Sequence, residues 1–224
     1  MYMIIKPIAK IYTGFPEKFG IPRQSGLAQT QGRIVFEKEY RNPDAFRGLE
    51  GYSHLWLIWE FSQCNTQQWT PMVRPPRLGG NKRMGVFATR SPFRPNSLGL
   101  SSVKLDRISF AETDSPLLYV TGADLADGTP IYDIKPYLSY TDSHPEAVCG
   151  FADEMLDYSL KCTIPDELAK KIEPKVLNSL IDILKNDPRP AYQNDPERIY
   201  KMSYCGYEVE FSVADDEVIV RDVK

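Results

Sequence analysis

The chain has 224 residues, 42% of them hydrophobic and 12% aromatic, enough to bury the core of one moderately large domain, or of one main domain with a small appendage. Its net charge of −3 argues against a general nucleic-acid coat, no apolar run approaches the ~18 residues of a membrane span, and the start, MYMIIKPIAK, lacks the apolar stretch of a signal peptide. The cysteines, Cys64, Cys149, Cys162 and Cys205, lie far apart with no CxxC or metal-knuckle spacing, which reads as a reduced cytoplasmic protein without a metal site.

Over residues 1–145 short runs rich in β-branched and aromatic residues alternate with Pro/Gly turns. Strands are predicted at Met3 to Tyr12, Gly32 to Phe36, His54 to Phe61, Gly85 to Thr89, Leu100 to Ile108, Leu117 to Thr121 and Ile131 to Ile134. A short helix is expected at Asp44 to Leu49, with Asn42 or Asp44 at its start and Gly51 beyond its end. No glycine-rich phosphate motif follows a strand, so a dinucleotide-binding α/β sheet has little support; the pattern suits a mainly β barrel or sandwich.

One stretch departs from the acidic balance. From Phe61 to Leu105 there is no Asp or Glu, and seven basic residues fall there: Arg74, Arg77, Lys82, Arg83, Arg90, Arg94 and Lys104. Within VRPPRLGGNKRMGVFATRSPFRPNSLGLS the arginines alternate with Pro and Gly, and Gly79, Gly80 and Gly85 allow close approach of backbone to ligand. Arginine's fork of donors suits phosphates and carboxylates and its planar face stacks on bases. An anionic ligand is expected there. KFGIPRQSG, Lys18 to Gly26, is a second cationic loop, of interest if it lies beside the first. His54, alone before an apolar run, reads more readily as structural than catalytic. GADLADGTP offers Asp124 and Asp127 either as turn formers or as partners for a hydroxyl or ammonium group.

Residues 146–224 form a different region. They hold 10 basic and 17 acidic residues against 17 and 13 in residues 1–145. Leu168, Ile172, Val176, Leu180 and Leu184 recur at helical spacing, and Pro174 should divide the stretch into two helices, sitting in the first turn of the second. Tyr207, Val209, Phe211 and Val213 alternate, Asp215 and Asp216 turn the chain, and Val218 and Val220 return it as a strand pair. The expectation is a β-barrel over 1–145 and a small α+β appendage over 146–224.

KFGIPRQSG, FRGLEGYSHLWLIWEF, VRPPRLGGNKRMGVFATRSPFRPNSLGLSSVKL, GADLADGTPIYDIKPYLSYTDS and DPRPAYQ together resemble the YaeB-like, or TrmO, family of tRNA methyltransferases. The resemblance implies a single-sheeted antiparallel β-barrel and a homodimer with the cofactor near the subunit interface. It also implies transfer of a methyl group from S-adenosylmethionine to N6 of N6-threonylcarbamoyladenosine, next to the anticodon of threonine tRNA. Carried over by motif, cofactor contacts fall on Gln24, Ser25, Gly26, Ser62, Gln63, Arg90, Leu100 and the run Asp124, Leu125, Ala126 and Asp127. Ser25 and Ser62 stand where the family commonly has Pro and His, positions able to contact ligand through backbone groups. Arg74, Arg77 and Arg94 are the expected RNA contacts; no catalytic base is named. The competing readings are a non-catalytic RNA-binding β-barrel, and a methyltransferase acting on another anionic acceptor.

Overall fold

A computed structural model describes residues 4–64, 68–75, 78, 82–155, 158–190, 193 and 195–224. Six strands close a barrel: β1 (Ala9–Thr13), β2 (Gln31–Phe36), β3 (His54–Glu60), β6 (Leu98–Ser109), β7 (Leu117–Thr121) and β8 (Thr129–Pro136). Their order around it is β1-β2-β7-β6-β3-β8, and every neighbouring pair is antiparallel. Alternation along each strand decides what fills it. In β3, Leu55, Leu57 and Trp59 are buried while Trp56, Ile58 and Glu60 are less so. Ile11, Ile34, Val103, Leu118, Val120 and Ile131 join them in one cluster, as a small barrel requires. Closure removes the exposed strand edges an open sheet would carry.

The elements predicted for residues 1–145 form with shifted ends, with two exceptions. The expected strand at Gly85 to Thr89 is only the two-residue β5 (Met84–Gly85), paired with β4 (Met72–Val73), followed by a 3₁₀ turn at Val86–Ala88. The cause is local competition: Thr89 donates to the Val86 carbonyl through both its backbone N–H (3.1 Å) and its hydroxyl (2.9 Å). The expected helix at Asp44 to Leu49 is instead two 3₁₀ turns, Pro43–Phe46 and Leu49–Gly51, the first capped by Asn42. Gly48, at φ +87°, separates them.

The C-terminal region holds a four-stranded sheet in the order β10-β11-β12-β9, from β9 (Lys161–Thr163), β10 (Tyr200–Tyr204), β11 (Tyr207–Ala214) and β12 (Glu217–Val223). The expected pair is its centre; β10 extends it, and β9, too short for periodicity to mark, adds a parallel edge. Between the strands lie α2 (Asp166–Ala169) and α3 (Pro174–Lys185), with Pro174 opening α3 as its spacing predicted. Leu180, Ile183 and Leu184 of α3 bury against Val209, Phe211 and Val218. Helix α1 (Ser139–Asp142), as short as α2, ends the barrel sequence, and Asp142 there accepts from Trp56 Nε1 at 2.9 Å.

Residues 14–30, between β1 and β2, join the two regions. Phe15, fully buried, and Ala28 belong to the C-terminal core rather than to the barrel's, with Phe19 and Ile21 packed beside them. Farther along, the loop returns to the barrel: Gly26 N–H donates to the Gly122 carbonyl at 3.0 Å. Gly122 sits at φ +89°, and a Cβ there would meet Gly26 at 3.2 Å, so both conformation and clearance favour glycine.

Candidate functional site

A cavity of about 460 Å³ opens at one end of the barrel, between loop 18–24, the end of β3, the turn 89–94 and the start of β6. That volume is ample for a cofactor-sized ligand. Of the residues singled out from sequence, Gln24, Ser62, Gln63, Arg90, Arg94, Leu100, Asp124 and Ala126 line it. They come from five separate stretches of chain, brought together by barrel closure.

The polar centre of the cavity is a buried relay. Trp59 Nε1 donates to Ser101 Oγ at 2.9 Å, and Ser101 Oγ donates to Asp124 Oδ1 at 2.6 Å. Trp59 and Gly99 are paired across β3 and β6, and a Cβ on Gly99 would lie 2.3 Å from the indole ring. Glycine there lets the indole settle against the strand and aim its N–H at Ser101. A register shift between Ile58 and Trp59 against β8 re-aims the same segment.

Burial pushes the Asp124 carboxyl above the ordinary carboxylate range. Hydrogen bonds from Ser101 and from the backbones of Asp124 and Ser25, together with the Arg90 charge, oppose that push without cancelling it. A carboxylate so placed gains when a cation enters the cavity. Arg90 donates to Gln24 Oε1, tying the 89–94 turn to loop 18–24 across the mouth. Glu60 accepts from Tyr132 at 2.6 Å, and this bond with burial holds the Tyr132 hydroxyl up at about 12.

The remaining candidates take other places. Ser25 touches Asp124 through its backbone, and Gly26 sits on Gly122. The Leu125 side chain lies in the barrel core, with its carbonyl accepting from Thr13 Oγ1. Asp127 is exposed and accepts from Thr13 N–H at 2.9 Å, which ties its loop to the end of β1. His54 is exposed at the start of β3, with Ser53 Oγ 2.9 Å from its Nδ1. Trp59, Glu60, Ser101 and Thr89 line or support the cavity and were not singled out beforehand. A tryptophan and a glutamate ending an apolar strand, and a glycine and serine facing them in LGLSS, were the available signals.

Of the expected RNA contacts, Arg74 is exposed just after β4. Arg94 is half-buried: its Nη1 donates to the Thr89 carbonyl at 2.6 Å and the Val86 carbonyl at 3.3 Å, and its guanidinium lies 5.7 Å from the Phe87 ring centre. Arg77, Gly79 and Gly80 lie outside the described residues. Beside these cations Phe87, Trp69 and Phe93 stand exposed, Phe87 at 72%. Among the described residues no three His, Cys, Asp or Glu side chains gather as metal ligands, and no helix is long and apolar enough to cross a membrane.

The profile of the tRNA-methyltransferase O N-terminal domain matches residues 10–143, and that of the TrmO C-terminal domain matches residues 159–224. The chain belongs to the TrmO family. It is 40% identical over 217 residues to the tRNA (adenine(37)-N6)-methyltransferase of Escherichia coli K12, covering 93% of this chain and 92% of that one. To the enzyme of the same name from Eikenella corrodens it is 46% identical over 174 residues, 77% of this chain and 97% of the other. A crystal structure of TrmO from Pseudomonas aeruginosa superposes with a TM-score of 0.79 at 30% identity, each chain covered in full. The closed antiparallel barrel is thus the TrmO fold, and the cavity lies within its N-terminal domain.

Proposed function

We propose that this TrmO-family chain is an S-adenosylmethionine-dependent tRNA methyltransferase acting on N6 of adenosine 37. Its acceptor is N6-threonylcarbamoyladenosine in threonine tRNA. The observation that carries the reading is Asp124: a carboxyl held in the barrel mouth by Ser101 and Trp59, its charge disfavoured by burial, beneath a rim bearing Arg90 and Arg94. S-adenosylmethionine fits this donor set, being a cation at sulfur and at its amino group, a carboxylate at one end and a ribose with two hydroxyls. When bound, it supplies an electrophilic methyl group.

The residues of the chain supply position and charge. Asp124 and Glu60 would hold the cationic and hydroxyl groups, Gln24, Gln63 and the Ser25 and Ser62 backbone the polar edges, and Leu98, Leu100 and Phe61 the apolar faces. An in-line displacement needs little covalent help, so holding donor and acceptor in line is the main contribution. The acceptor nitrogen sheds a proton as it gains the methyl group, and Asp124 and Glu60 are carboxylates of the cavity wall able to receive one. Arg74, Arg77 and Arg94 contact the RNA, where phosphate charge dominates affinity. Residues 1–145 form the cofactor- and tRNA-binding domain, and residues 146–224 the appendage. The active form is a homodimer: Leu100, exposed in the cavity wall, leaves apolar area there for a second copy to cover.

Nucleoside mass spectrometry after incubating the protein with S-adenosylmethionine and threonylcarbamoyladenosine-bearing tRNA tests the reading. The expected result is a methyl-sized mass increase on that nucleoside. Cofactor binding without it would move the acceptor elsewhere; no cofactor binding would leave an RNA-binding barrel.

A further inference from the structure

Asp187, Pro188 and Arg189, which begin the DPRPAY stretch, lie at the end of α3 and line no part of the cofactor cavity. They nevertheless form a tightly bonded turn of the C-terminal region. Asp187 stands at φ +50°, and its carboxylate accepts from Arg189 Nε at 2.8 Å, Arg189 Nη2 at 3.0 Å and the Tyr158 hydroxyl at 2.7 Å. Both members of the ion pair are buried, and Pro188 fixes the backbone between them. Burial alone would raise the Asp187 carboxyl; Arg189 and Tyr158 bring it below the usual range, so the pair stays charged. The result is a rigid turn with two carbonyls held at a fixed spacing.

Arg23 occupies that spacing. Its Nη2 donates to the Asp187 carbonyl at 2.9 Å and to the Arg189 carbonyl at 2.7 Å. Arg23 itself and Gln24 also line the cavity, Gln24 receiving Arg90, while the Ser25 backbone faces Asp124 and Gly26 sits on Gly122. Two further bonds tie the loop to α3, from Asn186 Nδ2 to the Leu27 carbonyl at 3.0 Å and from Gln29 N–H to Asp182 Oδ2 at 3.1 Å. One short stretch of chain is therefore cavity wall on one side and C-terminal docking surface on the other.

We infer that Arg23 is a positioning residue: it latches the cofactor loop to the Asp187–Arg189 turn, so that cofactor affinity depends on C-terminal residues outside the cavity. The inference rests on the cofactor reading above. A guanidinium offers directed donors to both carbonyls, whereas a lysine ammonium is a point charge on a flexible stem and replaces the latch only in part. Coupling of this kind is reciprocal, so filling the cavity must also steady the 184–189 turn.

The test uses the full chain. S-adenosylmethionine is titrated calorimetrically into wild type, Arg23→Lys and Arg23→Ala, KM is measured for each substrate, and amide hydrogen exchange is followed with and without the cofactor. Arg23→Ala should weaken cofactor binding about tenfold, within the usual span of coupling between sites. Arg23→Lys should fall between, while KM for tRNA changes less than about twofold, as expected of uncoupled contacts. In wild type the cofactor should slow exchange at 184–189, and in Arg23→Ala that slowing should vanish. An unchanged cofactor Kd in Arg23→Ala, or no cofactor-dependent slowing in wild type, overturns the latch. Should Arg23→Ala fail to fold, the wild-type exchange decides alone. Absence of saturable cofactor binding by wild type would overturn the functional reading and the latch with it.

Discussion

Loop 14–30 and segment 68–94 are both cationic, Pro/Gly-punctuated connections that border the same cavity, yet the fold treats them oppositely. The first is nailed at both ends: Phe15 and Ala28 are sunk in the C-terminal core, and Arg23, Gly26 and Gln29 are bonded to separate elements. The second rests on a two-residue strand pair and a 3₁₀ turn, with Trp69, Phe87 and Phe93 left in water. A small cofactor is held well only by a wall that is already in place. A macromolecule is met by a surface that must stay open to it, and an exposed apolar patch among cations is the mark of one.

Substitutions test that contrast. The largest effect is expected from Asp187→Ala, which leaves Arg189 charged and buried without its partner. Loss of one member of a buried pair costs about 3–5 kcal/mol, to be read from the urea unfolding midpoint. A stability loss confined to the range of a surface substitution would break the claim that the first loop's anchor is rigid. Next comes Gly99→Ala, whose methyl group must push Trp59 aside and misalign Ser101 and Asp124. Overpacking of this sort costs about 1–3 kcal/mol, and cofactor affinity should fall alongside thermal stability.

Asp124→Asn should weaken S-adenosylmethionine binding at neutral pH about tenfold, the scale of one hydrogen bond to a charged group. The sign of its pH dependence follows from the raised carboxyl. The folded chain holds the Asp124 proton more tightly than the unfolded chain does, so its contribution to stability is present below the unfolded value and is lost as pH rises through the folded one. Cofactor affinity runs the other way, rising with pH as the carboxylate forms. Both slopes should flatten in Asp124→Asn, in thermal melts and in calorimetric titrations across the acidic range. A cofactor affinity indifferent to pH in wild type would separate Asp124 from the ligand's positive charge.

The smallest effect belongs to the open segment. Arg74→Ala should leave stability and cofactor affinity unchanged, weaken tRNA binding a few-fold and lower the slope of log K against log salt by roughly 0.7, one single-strand phosphate contact. Arg94→Ala should weaken tRNA binding too, but it also frees the Val86 and Thr89 carbonyls, so its turn loosens as well. Filter-binding titrations at several salt concentrations distinguish the two. If Arg74→Ala changed stability as much as Gly99→Ala, the open segment would be part of the scaffold after all.

Alternation made the barrel strands, and helical spacing α3, readable in the chain, because Leu55, Leu57 and Trp59, or Leu180 and Leu184, declare their buried face at every step. Asp215 and Asp216 marked their hairpin for the same local reason, both adopting the positive φ that a tight turn demands. What stayed hidden depends on distant partners. Gly85 to Thr89 has a strand's composition, but Thr89 and Arg94 claim its carbonyls. Ser101 is one serine of several until barrel closure sets it between Trp59 and Asp124. The motif blocks identified which loops bear on the cavity, yet Arg23 and Arg90, both in its wall, carry no sequence mark separating the latch from the rim.

Phe15 has a consequence for how the molecule can be divided. A fragment beginning near residue 146 would contain every strand and helix of the C-terminal region and still lack the ring that fills its centre, tilted against Tyr204 with ring centres 4.8 Å apart. Emptying a buried aromatic site costs about 3–5 kcal/mol, a large share of what so small a sheet can muster. The barrel, for its part, would be left with an apolar loop projecting into solvent. The two regions are separate in topology but share one hydrophobic inheritance, and neither half is a natural module for transplantation.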